Sequence, residues 1–579
     1  MALVDSGINV LLSIFKLSFQ YIDREIWNTA GKTLYIRIIT AIIKYPVIYK
    51  IKCYITVNSR ILRPIFREIM ATKQLGYARL ITDYQLKALP LEEYAQIDSS
   101  VRGRERREVH GQVVSSFEPR YQPDDTLSGH LQFALKYEGV NLQVLGLLFE
   151  QAIQDQLENW ILTSPASSYA RRACFLYEWI TGRTLSDEIR VPGRERYVDA
   201  ADDTLQFVLP GGERNTRYRV NNNLPGVPEF CPMVRKTEYL QKMVAKDLRA
   251  QVGATLAKYD QNLLKRAAAF LYLKETQSSF EVEREKPSQN KAQRFVDMLK
   301  QADSNTPLTA ERFSQLQNAA IDPRFHEYTW RSEQNWVGKD HGYRKQIDFI
   351  PARPEDLAQL MSGLIETVSK CGKYASKNDA VSGEDKRYDP IVFAAAVSFG
   401  FVFIHPFMDG NGRIHRYLIH DVLARTEFTP RGIILPVSAV ILANLDDYVS
   451  VLENFSRPMR ELSDYNPEVP AAPATGNNPI YFSFFDATRQ AEFLYHSLQL
   501  TFEEDLQKEI EYLLGFDRAY DRLNQIMDWP KHSLELFIQV VHQNNAKLSS
   551  TKHNSHFHWM TSQEISDSEE VVTEAFRLE

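Results

Sequence analysis

Apolar positions return every three to four residues along most of this chain, the spacing of helices that bury one face. Residues 131–153 read as one long amphipathic helix, and residues 244–276 as another helical stretch. Pro354 stands where a first-turn proline opens a helix over 355–370. A further helix is expected at 440–455, and residues 481–579 are mostly helical in pattern. The densest apolar runs, 391–404 and 414–423, are helix-compatible and separated by one short turn, which predicts two antiparallel helices. Strand signals are sparse. Residues 185–223 place β-branched and aromatic side chains between Pro192, Gly193, Pro210, Gly211 and Gly212, as a small sheet or hairpin would. Residues 346–351 alternate polar and apolar until Pro351.

Polar stretches punctuate this pattern. Residues 75–128 are polar, and the basic run 102–107 reads as a solvated loop. Lys286-Pro287 predicts a stop ahead of a charged segment reaching residue 305. Residues 373–387 read as a linker, and the Pro/Ala/Gly/Asn-rich stretch 467–478 as a boundary. The expected organisation is an extension over 1–72, a helical region with small β segments over 73–260, a core over 261–466, and a C-terminal helical module over 479–579. Within that module, 534–576 is expected to be winged-helix-like.

Composition narrows the class. The chain has 579 residues, 44% hydrophobic and 25% charged, as in ordinary globular proteins. A net charge of −6 gives no electrostatic case for nucleic-acid binding. Cys53, Cys174, Cys231 and Cys371 are too scattered for a zinc site or a disulfide framework and read as reduced cytosolic thiols. The first seventy-one residues carry roughly ten basic against four acidic groups. That balance admits a peripheral membrane contact as well as a plain packing extension. Charges interrupt its apolar runs before they reach the ~18 residues of a spanning helix. His553, His556 and His558 lack a partner at ligand spacing and read as surface histidines.

The chemistry concentrates in His405-Pro406-Phe407-Met408-Asp409-Gly410-Asn411-Gly412-Arg413-Ile414-His415-Arg416. Gly410 and Gly412 let a backbone approach an anion closely. The amides opening the next helix favour negative charge. Asp409 is a hard oxygen ligand suited to Mg²⁺ carried by phosphates. Arg413 and Arg416 share one helix face and can clamp further phosphates. His405 can take a proton from a hydroxyl near neutral pH.

This stretch resembles the signature of the Fic family, His-Pro-Phe-x-Asp/Glu-Gly-Asn-Gly/Lys-Arg-x-x-Arg, at every fixed position. The resemblance implies a mainly α fold, an all-helical core with a short β-hairpin flap, flanked by mostly helical regions. It also implies transfer of AMP from ATP to a hydroxyl of a target protein or of the chain itself. His405 would be the base and Asp409 the Mg²⁺ ligand. Gly410, Asn411 and Gly412 would hold the α-phosphate region, and Arg413 and Arg416 the outer phosphates. The Gly410-Asn411-Gly412 loop separates it from the Doc branch, which transfers a phosphate and carries Ala-Asn-Lys there.

Upstream, Ser278-Ser279-Phe280-Glu281-Val282-Glu283-Arg284 resembles the family's inhibitory helix, Ser/Thr-x-x-x-Glu-Gly/Asn. Ser279 and Glu283 fill its two key positions, with Glu283 expected against Arg416. Arg284 departs from the Gly or Asn of the pattern. Tyr137-Glu138-Gly139 offers a rival Glu-Gly, but with Ala134 in place of Ser or Thr. Gln346, Ile347, Asp348, Phe349 and Ile350, approached through 330–338, resemble the flap that docks a target segment by strand addition. Phe485-Asp486-Ala487-Thr488 and residues 491–495 resemble the C-terminal module of large Fic proteins. Three alternatives stay open: AMP removal, another nucleotidyl or phosphoryl transfer, and a non-catalytic protein-binding scaffold. Whether the chain is a homo-oligomer is open as well.

Overall fold

In this computed structural model, residues 74–577 are described apart from 110–111, 305, 343–344, 376–386 and 470–472. The N-terminal extension and most of the expected 373–387 linker therefore lie outside the described residues. The fold is mainly α, with small sheets at its margins.

The first described helix, α1 (Gly76–Asp83), leads into a three-stranded sheet of β1 (Glu93–Ile97), β2 (Arg104–Val109) and β3 (Gln112–Phe117). β3 lies centrally, parallel to β1 and antiparallel to β2. The basic run expected as a solvated loop is thus a strand. Its alternation turns Arg104 and Arg106 toward the same carboxylate, Glu93, each at 3.2 Å. The single helix expected at 131–153 is two, α2 (Leu127–Tyr137) and α3 (Leu142–Phe149). Gly139 at φ +86° breaks the run, and the Asn141 side chain caps α3 by accepting the Val144 amide. α4 (Gln154–Thr163) and α5 (Ser168–Thr181) follow. The expected small sheet in 185–223 is β4 (Val198–Asp199), β6 (Val220–Asn222) and β5 (Glu213–Asn215), in that spatial order.

The stretch 244–276 is likewise interrupted. α6 (Glu238–Ala245), α7 (Leu248–Leu256) and α8 (Gln261–Val282) are separate because the Asp247 and Asp260 side chains each accept amides of the next helix. The polar segment expected after Lys286-Pro287 forms α9 (Gln289–Lys300), started by a Ser288 cap. α10 (Ala310–Ala320) follows, then a β-hairpin of β7 (Val337–Asp340) and β8 (Lys345–Phe349), then α11 (Pro354–Ala375).

α12 (Pro390–Ile404) is buried nearly all round, and α13 (Asn411–Arg425) packs along it. Pro390 sits in the first turn of α12, and Asp389 caps it by accepting the Ile391 and Val392 amides. α14 (Val437–Ala443) covers α8, and α15 (Leu445–Leu462) supports β8. α16 (Pro479–Ser483) and α17 (Thr488–Leu500) return to the N-terminal region. There the Cys231 and Met233 amides donate to the Ser483 and Phe485 carbonyls. A π-helical turn, Thr501–Leu506, joins α17 to α18 (Gln507–Ile526). α19 (Lys531–Gln543), α20 (Ser550–His556) and α21 (Ser562–Ala575) pack with the end of α18 around a small apolar cluster of their own that includes Phe537 and Phe557. Residues 534–576 contain no strand, so the winged-helix-like segment lacks a wing. No described helix is long and apolar enough to cross a membrane.

Phe230 presses on the middle of α12. A Cβ at Gly400 would lie 2.3 Å from its ring. Alanine would gain about 1 kcal/mol of helix propensity, yet overpacking costs about 1–3 kcal/mol. Gly400→Ala is therefore expected to lower the thermal unfolding midpoint. A raised midpoint would mean that α12 and Phe230 are not packed this closely.

Candidate active site

The turn between α12 and α13 is built by its own sequence. α12 ends at His405, which takes the left-handed conformation at φ +56°. Gly410, at φ +88°, starts α13. Asn411 closes the loop on itself: its Oδ1 accepts the Phe407 amide at 3.1 Å, and its Nδ2 donates to the Phe407 carbonyl at 2.7 Å. Its side chain is thereby committed to the loop, and what Asn411 can offer an anion is its main-chain amide.

A segment the signature does not include holds the same turn from outside. Arg331 donates Nε to the His405 carbonyl at 3.0 Å and its amide to the Pro406 carbonyl at 2.9 Å. Asn335 donates to the Phe407 carbonyl at 3.0 Å, and Glu327 accepts the Met408 amide at 2.9 Å. Burial lowers the Arg331 guanidinium to about 10. Burial also raises the Glu327 carboxyl, and the charge of Asp409 adds to that rise. Sequence reasoning passed over Arg331, Asn335 and Glu327 as site residues because nothing in 327–335 marks which main-chain groups it will meet.

His405 is partly exposed and lies among protein groups that desolvate it. Burial pushes its pKa down to about 4, with Arg331 acting in the same direction. Its Nδ1 lies 3.1 Å from the Val402 carbonyl, which only accepts. That contact puts the proton on Nδ1 and leaves the Nε2 lone pair free, the form a general base needs.

Arg413 and Arg416 are buried, at 0% and 2% side-chain exposure. One carboxylate serves both. Glu283, at the C-terminal end of α8, puts Oε1 2.8 Å from Arg416 Nη2 and Oε2 2.9 Å from Arg413 Nε. Ser279 accepts Arg416 Nε on its hydroxyl at 2.7 Å and Nη2 on its carbonyl at 2.8 Å. Burial disfavours the Arg416 charge, but Glu283 outweighs it and the pKa is raised. A Cβ at Gly412 would meet Glu283 Oε1 at 2.4 Å. The carboxylate thus fills the glycine cradle at the start of α13. Glu285 adds a second carboxylate, 3.6 Å from Arg413 and held by Lys291 at 2.7 Å. The rival Glu138 is half-buried elsewhere, accepting the Tyr77 amide at 3.0 Å.

Asp409 stands at the mouth with 58% of its side chain exposed. Its Oδ1 accepts the Gly410 amide at 2.6 Å and faces Arg413 at 3.3 Å. An exposed carboxylate with one oxygen so engaged fits Mg²⁺ that arrives on phosphate oxygens. Among the described residues no cluster of three or more His, Cys, Asp or Glu side chains could hold a metal by itself.

The flap residues divide. Gln346 and Asp348 are exposed and Ile347 is half-buried. Phe349 and Ile350 are buried, Phe349 against Phe455 and Ile350 beside Tyr465. The last two therefore anchor the hairpin and present nothing to a partner, whereas all of β7 is exposed.

Residues 307–423 match the family model described as Fic/DOC family. The chain carries a Fic domain there. A protein adenylyltransferase Fic of Nematostella vectensis is 37% identical over 84 residues, 14% of this chain and 17% of that protein. The protein adenylyltransferase fic-1 of Caenorhabditis elegans is 41% identical over 124 residues, 20% of each. The chain thus spans about a fifth or less of the length of these curated relatives. A solved Fic family protein from Desulfovibrio desulfuricans aligns at 17% identity and a TM-score of 0.33, covering 50% of this chain and 82% of that one.

The departure at Arg284 has a structural cost in this Fic-domain chain. Glu285 returns its amide to the Phe280 carbonyl at 3.0 Å, a Schellman closure that puts Arg284 at φ +59°. A non-glycine residue there costs roughly 1–2 kcal/mol, partly offset by the greater unfolded-state entropy of glycine. Arg284→Gly is expected to raise stability by up to about 1 kcal/mol in a denaturant titration. A fall in stability would show that the Arg284 side chain contributes more than its backbone costs.

Proposed function

We propose that this Fic-domain chain transfers AMP from ATP to a protein hydroxyl and that Glu283 restrains the transfer. The observation that carries the reading is the Glu283 carboxylate bridging two buried arginines in the glycine cradle beside His405. A carboxylate in that cradle stands in for phosphate oxygens. ATP would bring its outer phosphates to Arg413 and Arg416 and its α-phosphate toward the amides at the start of α13.

The acceptor segment lies along the exposed edge of the β7–β8 hairpin. His405 Nε2 takes the hydroxyl proton as that oxygen attacks the α-phosphorus. The bond from phosphorus to the bridging oxygen of the β-phosphate breaks, and pyrophosphate leaves. Asp409 would hold Mg²⁺, which neutralises charge on the transferring and leaving phosphates. Positioning and fixed dipoles supply most of the acceleration. While Glu283 holds both guanidinium groups, the outer phosphates lack their clamp and the α-phosphate is poorly aligned for in-line attack. Three free, buried cysteines, Cys174, Cys231 and Cys371, support a cytosolic setting as part of the same reading.

Glu283→Gly is expected to raise incorporation of labelled AMP by about tenfold or more, the factor for displacing a restraint worth ~1.4 kcal/mol. His405→Ala in that background should lower it again by about 10²-fold or more. Removal of Glu283 also leaves two buried cations short of a partner, so the variant should lose stability without nucleotide and regain it with ATP and Mg²⁺. Unchanged labelling in Glu283→Gly would remove Glu283 as the restraint. Labelling that survives His405→Ala would remove the mechanism.

The pH profile gives an independent check. His405 acts as a base only when neutral, and burial holds its pKa at about 4. The acid limb of kcat/KM attributable to it should therefore fall as pH drops through about 4–5, not near the ~6.5 of an unperturbed imidazole. A limb centred at 6.5 in the Glu283→Gly variant would contradict a His405 kept neutral by its desolvating surroundings.

A further inference from the structure

Glu327 lies outside the signature, eighty-two residues before Asp409 in sequence. It is nonetheless bound to the signature's main chain. Its Oε1 accepts the Met408 amide at 2.9 Å, one residue before Asp409. Gln317, fully buried on α10, holds Glu327 in place. Its Nε2 donates to Glu327 Oε1 at 3.2 Å and its Oε1 accepts the Glu327 amide at 3.1 Å. Asn318 Oδ1 also accepts that amide at 3.1 Å. Helix α10, through Gln317, thus holds a carboxylate against the Phe407–Met408 peptide, one residue ahead of Asp409. A neutral glutamine would satisfy the Met408 amide equally well, so hydrogen bonding alone does not account for a carboxylate here.

We propose that Glu327 is a positioning residue for the cation held by Asp409. It fixes the Phe407–Met408 peptide from which the chain runs into Asp409, and its charge would strengthen the field at the mouth where hydrated Mg²⁺ arrives on the nucleotide. The inference rests on the adenylyl-transfer reading for the identity of the nucleotide alone. The cation itself is measurable without transfer.

The test is binding of Mn²⁺ to the full chain with a non-hydrolysable ATP analogue, followed by electron paramagnetic resonance, for Glu327→Gln, Glu327→Ala and Asp409→Ala. Glu327→Gln keeps the acceptor for Met408 and removes the charge. It should weaken Mn²⁺ binding about three- to tenfold, the effect of one charge several ångströms away in a partly solvated site. Its unfolding midpoint should match wild type, and its Mg²⁺ requirement for transfer should rise more than kcat falls. Glu327→Ala should lose the loop anchor as well, with both kcat and stability reduced. Wild-type Mn²⁺ affinity in Glu327→Gln, alongside a large loss in Asp409→Ala, would overturn the role of Glu327 and leave the Asp409 assignment standing. Wild-type affinity in all three variants would overturn both. Weaker Mn²⁺ binding in Glu327→Gln without labelled-AMP transfer in Glu283→Gly would uphold Glu327 and refute the transfer reaction.

Discussion

Two arginines without access to water need an anion, and Glu283 is the anion this structure provides. A buried guanidinium left unpaired costs several kcal/mol, so a signature helix carrying Arg413 and Arg416 inward is stable only with a carboxylate or phosphate between them. The rest of the site follows from that constraint. α8 must end beside the cradle to deliver Glu283, and Gly412 must lack a Cβ to admit it. Ser279, one turn earlier, takes the Arg416 donors that Glu283 leaves over. Two turns earlier, Glu275 meets His420 at 2.9 Å and accepts the Ser438 amide at 2.8 Å. Burial works against its charge, yet His420 and Ser438 together hold its pKa below the usual carboxylate range. Glu275, Ser279 and Glu283 thus form one polar stripe at helical spacing, matched by Arg416 and His420 on α13.

A second constraint acts on the turn itself. Residues 405–408 offer main-chain groups that neither α12 nor α13 satisfies, because each helix ends there. The segment from Glu327 to Asn335 answers most of them, and Asn411 answers the remainder from within. A histidine in a left-handed conformation stays in place only if its surroundings over-determine it. Here the surroundings are buried Arg331 on one side and the Val402 carbonyl on the other. The loop is consequently organised by the fold itself, with no bound group needed to shape it.

The sequence made the centre of this arrangement legible and its periphery much less so. His405, Asp409, Arg413 and Arg416 could be read because their chemistry is compressed into one turn. The pairing of Glu283 with Arg416 was legible only through the resemblance of Ser279-x-x-x-Glu283 to the family's inhibitory helix; spacing alone names no partner on another helix. The simultaneous grip on Arg413 could not, since it depends on how α8 crosses α13. The nearby Glu285 was hidden for the same reason. Helix type was clear from periodicity, but breaks were not. Asp247 and Asp260 act as caps, and Gly139 breaks a helical run, inside stretches whose apolar rhythm carries on past them, while Ser288 caps a helix in a segment that reads as charged and polar. The strand at 104–109 was masked by its charge, because its arginines pair with Glu93 rather than meet solvent alone. Phe349 and Ile350 show the converse: they end or directly follow a strand with exposed residues, and only the packing of α15 and Tyr465 turns them inward.

The stripe on α8 is graded along its length, and the grading decides where it can yield. Glu275 is fully buried and locked to α13 and α14 through His420 and Ser438. Glu283 retains 24% side-chain exposure and sits at the last residue before a left-handed, non-glycine closure. Opening the Glu275 end would strip partners from a buried charge and separate α8 from the core. At the Glu283 end, only the final turn must unwind, and the strained Arg284 conformation relaxes as it does. Local opening follows the lowest free energy available, so an incoming anion can exchange with Glu283 while the remaining helix stays docked. The structure thereby separates two demands on one helix: its earlier turns hold the core, and its last turn supplies the carboxylate that two buried arginines need.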